Sequence, residues 1–146
     1  MPRFQGNRRG GSLRTPVDEK MTRFLSICLA GAAGTGLRYV IALWSTRRFG
    51  PEFPYGTVVV NLAGCFLIAA VIEVATLKAW PETLRLVLTV GFLGGFTTYS
   101  SFNQETIRMA SSGAAGAALL NVLMTLAGGL AAGWLGVTVS RGLLPR

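Results

Sequence analysis

Apolar residues fill four runs of the chain, residues 24–44, 56–77, 84–109 and 115–139, with short polar segments between them. A bilayer core about 30 Å thick needs roughly 20 predominantly apolar residues to cross as a helix, so each run is long enough to span. The pattern predicts an all-α membrane protein with four transmembrane helices and almost no extramembrane domain, which excludes a soluble enzyme.

The third run is irregular. From Gly91 to Phe102 it reads GFLGGFTTYSSF, with three glycines and the small hydroxyl residues Thr97, Thr98, Ser100 and Ser101. Glycine costs roughly 1 kcal/mol in a helix interior relative to alanine, and Ser or Thr hydroxyls compete with the helical ladder for backbone partners. Freed backbone groups at membrane depth survive only where protein or a water-filled cavity satisfies them. The third helix is therefore expected to be broken here, and the break is expected to be a site.

Polar residues inside the other runs follow helical spacing. Thr57 and Asn61 are four apart and share one face of span two, as Asn121 and Thr125 do on span four. Such faces look into protein or water, and for Asn61 an interhelical hydrogen bond competes with a role in a pathway. Gln104 and Glu105 carry polarity on beyond the break, and Phe96, Tyr99 and Phe102 recur every three residues. Arg38 lies far enough into span one to cost about 2.5–3.5 kcal/mol on insertion scales. It either snorkels toward the loop beyond Trp44 or serves a structural ion pair or an anion-attracting vestibule.

Composition sharpens this picture. The 146 residues are 51% hydrophobic and 14% charged, whereas soluble domains carry about 25% charged residues. The formal charge of +8 sits at the N-terminus and between apolar runs, so it sets orientation rather than marking a nucleic-acid surface. With no histidine, and with Cys28 and Cys65 as the two cysteines, both inside apolar runs, there is no pattern for a metal cluster of side chains or a catalytic triad.

Residues 1–20 are basic and rich in Gly and Pro without apolar periodicity, and are expected to be a disordered tail. They lack the layout of a signal peptide. Met21, just ahead of the first apolar run, reads equally as the natural start, which leaves residues 21–146 as the membrane domain. With four spans both termini share a side. Counting the tail, ten Lys and Arg lie on that side against Arg47, Arg48 and Arg108 opposite, which puts both termini in the cytoplasm. A start at Met21 reduces the ten to five, and a bias that weak permits insertion in both orientations.

Three stretches in order, residues 34–39 (GTGLRY), 56–66 (GTVVVNLAGCF) and 91–102, resemble the motifs of the CrcB/Fluc fluoride channels over about residues 21–140. The resemblance implies a four-span chain assembled as an antiparallel, dual-topology dimer in the cell (inner or plasma) membrane. It also implies two narrow fluoride pathways and a structural sodium ion at the dimer centre. Carried over position by position, Asn61 resembles the pore asparagine, with Thr57 on the same face. Tyr99 and Phe102 resemble two aromatic residues whose ring edges line the pathway, the first usually a phenylalanine. Gly94 and Thr97 resemble the positions whose backbone carbonyls hold the sodium. Ser100 and Ser101 extend the hydroxyl track. Asn121 and Thr125 stand where the family often has a tyrosine and a serine, Glu105 at a polar position beside the pore, and Arg38 at the vestibule.

The expected function is passive, selective export of fluoride from the cytoplasm. Fluoride is small and strongly hydrated, so its path must replace water with donors such as the Asn61 amide, hydroxyls and positive ring edges. Two other classes compete: a small proton-coupled multidrug transporter, which expects an acid deep in span one, and a non-transporting assembly subunit whose polar residues only join helices. The partners expected are fluoride, lipid and a second copy of the chain or a paralogue inserted the other way, with no nucleic acid.

Overall fold

A computed structural model describes residues 16–144, so most of the expected tail lies outside the described residues. The described chain runs through α1 (Pro16–Phe49), α2 (Tyr55–Leu77), α3 (Glu82–Leu86), a π-helical segment π1 (Val87–Leu93), α4 (Gly94–Phe96), α5 (Tyr99–Ser111) and α6 (Ala115–Leu143). Every element among the described residues is helical. Three of them, α1, α2 and α6, are long and apolar enough to cross a membrane. The stretch expected as a third span is instead divided among α3, π1, α4 and α5.

Helix α1 starts earlier than its composition suggested. Its 34 residues extend about 51 Å at 1.5 Å per residue, and residues 16–20, assigned above to a disordered tail, form its first turns. The physical reason is local. Pro16 has the fixed φ that suits a first helical position, and Asp18 and Glu19 in the first turn favour the positive end of the helix dipole. Helix α1 ends at Phe49; the next residue, Gly50, has a φ of 84° that is open to glycine at no steric cost, and its N–H returns to the Thr46 carbonyl at 3.0 Å.

Two seams organise the packing. Along the first, α2 lies on α6, where a side chain at Gly136 would strike the Phe66 carbonyl and one at Gly128 would meet Leu62. Along the second, α1 lies on π1 and α4. There the backbones nearly touch: a Cβ at Gly34 would collide with the Phe92 carbonyl, one at Gly95 with the Gly31 carbonyl, and one at Gly91 would come 2.8 Å from the Ile27 carbonyl. The i→i+5 turns of π1 are wider than α-helical turns, and they leave Gly91 and Gly95 facing α1 together.

The fully apolar centre is small: Val60, Leu93 and Phe96, with Ile41, Ala63 and Phe92 packed against it. Phe92 and Phe96 stack at 6.0 Å with rings 10° from parallel. Many large apolar side chains stay outside, Leu29, Leu130 and Trp134 among them, far more than a soluble monomer exposes. Such surfaces suit lipid or a partner chain.

Candidate functional site

Within the stretch expected as a third span, the chain leaves helical geometry at two residues. Phe96 ends α4; Thr97 takes φ −84°, ψ 157° and Thr98 φ −151°, ψ 109°, both extended, before α5 begins at Tyr99. Several of the displaced backbone groups have identifiable partners. Thr97 gives both its N–H and its hydroxyl proton to the Leu93 carbonyl, at 3.0 Å each. The Thr98 hydroxyl caps α5, accepting the Ser101 N–H at 3.1 Å and donating to the Ser101 hydroxyl at 3.0 Å, the arrangement that satisfies an orphan donor at a helix start. The Ser100 hydroxyl lies 3.3 Å from that of Thr98.

Asn61 holds the break from α2. Its Oδ1 accepts the Thr98 N–H at 2.8 Å and its Nδ2 donates to the Thr98 carbonyl at 3.1 Å, so one side-chain amide pairs with both sides of a residue in the extended backbone. The Thr98 N–H is thereby turned to Asn61 rather than back along the helix to the Gly94 carbonyl. One turn on, the bare Gly64 makes room for the Thr97 methyl; a Cβ there would collide with it. The interhelical bond weighed for Asn61 is present, and it uses one of the two amide hydrogens. The second amide hydrogen is left to serve another acceptor.

Behind the clamp lies a cavity of about 320 Å³ that brings together Asn61, Gly94, Thr97, Tyr99, Phe102 and Thr125, with Cys65 and Thr89 also in its wall. The rings of Tyr99 and Phe102 stand 5.6 Å apart, tilted by 58°. They differ in burial: Phe102 is 5% exposed and Tyr99 75%, so the Tyr99 ring forms part of an open face. A second, polar cavity of about 150 Å³ is lined by Thr57, Glu105 and Arg108 with Ser45, Thr46 and Tyr55. Thr57 donates to Glu105 at 2.9 Å.

The expected site residues thus fall into separate groups. Asn61, Tyr99, Phe102, Thr125, Gly94 and Thr97 share the larger cavity, and Thr57 and Glu105 the smaller. Ser100 and Ser101 line neither cavity and hydrogen-bond at the α5 cap. Asn121 also lines neither: it is fully buried and donates from Nδ2 to the Thr106 hydroxyl at 2.8 Å. Arg38 has a partner that neither reading of the sequence named. Its Nε donates to the Gly95 carbonyl at 3.1 Å, beside the Thr35 hydroxyl at 3.3 Å, so a half-buried cation satisfies a carbonyl at the end of the helix preceding the break and complements the negative end of its dipole.

Sequence reasoning passed over Thr98, Thr106 and the Gly95 carbonyl. Thr98 had a signal, a Thr three residues before Ser101 at the start of a polar helix. The other two acquire partners only when α6 and α1 are in place. Among the described residues no group of three or more His, Cys, Asp and Glu is arranged to hold a metal.

Residues 25–137 match the family model described as CrcB-like protein, Camphor Resistance (CrcB). The chain is similar to a fluoride-specific ion channel FluC of Sorangium cellulosum (strain So ce56), with 50% identity over 125 residues that cover 85% of this chain and 98% of that protein. Similar proteins of the same name occur in Anaeromyxobacter dehalogenans (strain 2CP-1 / ATCC BAA-258), 45% identical over 124 residues covering 84% and 98%, and in Roseiflexus sp. (strain RS-1), 42% identical over 118 residues covering 80% and 95%.

Proposed function

We propose, because this chain belongs to the CrcB family, that it is a passive fluoride-selective channel through which the ion leaves the cytoplasm down its electrochemical gradient. The observation that carries the reading is the cavity beside Asn61. Its wall combines Asn61, whose amide has a hydrogen to spare, and Thr125 with the rings of Tyr99 and Phe102 in a mostly apolar surround. A dehydrated anion needs donors of that kind, weak enough singly to release it. The path we assign runs past Asn61, Tyr99, Phe102 and Thr125, with Thr57 and Glu105 at its second, polar cavity and the Ser100 and Ser101 hydroxyls beside the break.

In this reading α3, π1, α4 and α5 together make a third span interrupted at Thr97–Thr98, so the chain crosses four times. Two copies, or this chain and a paralogue, pair in opposite orientations and cover the open face that holds Tyr99. Sodium fits the chemistry of the break, since hard cations take oxygen ligands. The carbonyls of Gly94 and Thr97 are the groups that would hold it, supplied twice by a two-fold pair. Bound there, the ion would neutralise the negative ends of those carbonyl dipoles. Arg38 stays out of that set because it occupies the neighbouring Gly95 carbonyl.

The reading is tested with purified protein in fluoride-loaded liposomes and a fluoride electrode. Efflux is expected on relieving the membrane potential with an ionophore, without any imposed proton or sodium gradient. Efflux that requires such a gradient, or equal release of chloride, overturns it. Asn61→Leu separates a channel from an assembly subunit: transport is lost while dimers persist if Asn61 lines a path, whereas a subunit with joining residues alone loses its dimers and has no flux to lose.

A further inference from the structure

Asn121 stands on the same helical face as Thr125, four residues away, yet the two are used differently. Thr125 lines the larger cavity, whereas Asn121 lines neither cavity and is fully buried within one chain. Burial within a chain only increases on assembly, so a second copy does not bring Asn121 to a path between subunits.

Hydrogen-bond direction indicates what it does instead. The Thr106 hydroxyl has a single proton, which goes to the Phe102 carbonyl at 2.7 Å. Its oxygen is left to accept, and Asn121 Nδ2 donates to it at 2.8 Å. The order Asn121 to Thr106 to Phe102 also orients the amide. Turned over, Asn121 would set its Oδ1 against an oxygen whose proton is already committed. As it stands, Oδ1 is a buried acceptor without a side-chain or backbone donor, and an acceptor has nothing to offer an anion.

We propose that Asn121 is a positioning residue rather than a group that meets the ion. It acts through Thr106 on the turn of α5 that carries Phe102, and so fixes how that ring presents itself to the cavity. The inference rests on the reading of that cavity as an anion path. It is specific to an asparagine, whose donor and acceptor ends are distinct and whose donor end is engaged inside the fold.

The test is a cycle of Asn121→Leu, Thr106→Val and the double variant, reconstituted for fluoride efflux, with para-fluorophenylalanine at position 102 as a fluorine NMR reporter in detergent. Each single variant is expected to slow efflux by about fivefold, the scale of one buried hydrogen bond, and to move the position-102 resonance in the same direction. The double variant is expected to match either single one. Thr106→Ser, which keeps the hydroxyl, restores both readouts. A further loss of efflux from N121L in the T106V background overturns the inference, as does slower efflux with an unmoved resonance, since either places Asn121 in direct contact with the ion. If N121L does not fold, Asn121→Ser takes its place in the cycle and is judged by the same two readouts. If the unaltered chain passes no fluoride, the channel reading fails, and the resonance still reports whether Asn121 acts through Thr106.

Discussion

The segments on the two sides of Thr97–Thr98 are built on opposite principles. Before the break, π1 and α4 press against α1 with glycine facing backbone at Gly34, Gly91 and Gly95, and they contribute Leu93 and Phe96 to the apolar centre. After it, α5 meets its neighbours through side-chain hydrogen bonds, Glu105 with Thr57 and Thr106 with Asn121, and leaves Tyr99 on an open face. The first half is close-packed and has little room to change; the second has polar groups with capacity left over. In the proposed reading one segment both anchors the fold and meets an ion, with the two tasks divided at the break, and Asn61 joins the halves by holding Thr98.

That division predicts where substitutions abolish the protein and where they only slow it. The largest effect belongs to the first half. Gly34→Leu forces a side chain into the Phe92 carbonyl and is expected to cost about 3 kcal/mol or more, as severe overpacking does. The measurement is the yield of monodisperse protein and its resistance to unfolding in mixed micelles. Well-folded protein of ordinary stability would show that the glycine seam is dispensable.

Next is the junction. Asn61→Leu leaves the N–H and the carbonyl of Thr98 without their partner, a loss of roughly 2–6 kcal/mol at about 1–3 kcal/mol per unpaired group, less whatever water repairs. Fluoride efflux is expected to disappear with dimers still detectable by cross-linking. Asn61→Asp keeps the acceptor for the Thr98 N–H but sets a carboxylate oxygen against the Thr98 carbonyl, so it is expected to be poor in both stability and flux.

How far the molecule was legible in its sequence follows the same division. Helices α2 and α6 were visible because a long apolar run has one economical form in lipid, and the polar, glycine-rich composition marked the segment where the chain departs from helix. The start of α1 was not visible, since a basic stretch with little periodicity conceals the effect of Pro16, Asp18 and Glu19. The three-residue recurrence of Phe96, Tyr99 and Phe102 was misleading. Phe96 lies before the extended residues and stacks on Phe92, so one helical period does not run through all three rings. Nor could spacing distinguish Asn121 from Thr125. Both lie on one face of α6, and only the approach of α5 decides that the first points into the fold and the second into a cavity. Arg38 was noticed as a cation inside a span, but its partner is a backbone carbonyl, and backbone carbonyls have no sequence signature.

Smaller effects sharpen the comparison. Thr57→Val removes the donor to Glu105 without changing the size of the side chain, and is expected to cost about 1 kcal/mol and to slow efflux several-fold while assembly is kept. A collapse of assembly would instead make the second half structural in the manner of the first. The smallest change is expected at the rim. Arg141 pairs with Glu73 at 2.8 Å but is largely exposed, and exposed pairs contribute little. Arg141→Gln is expected to match the unaltered chain in yield and in flux, and a clear loss in either would move that pair from the rim to the working part of the molecule.

The most direct test of the central claim is the reversal potential of the purified chain in a planar bilayer, with a fluoride gradient opposed by a chloride gradient and pH equal on both sides. Current is expected to reverse at the fluoride equilibrium potential, and to stay there when a proton gradient is then imposed. Reversal near the chloride potential, or a reversal that moves with the proton gradient, would contradict the account.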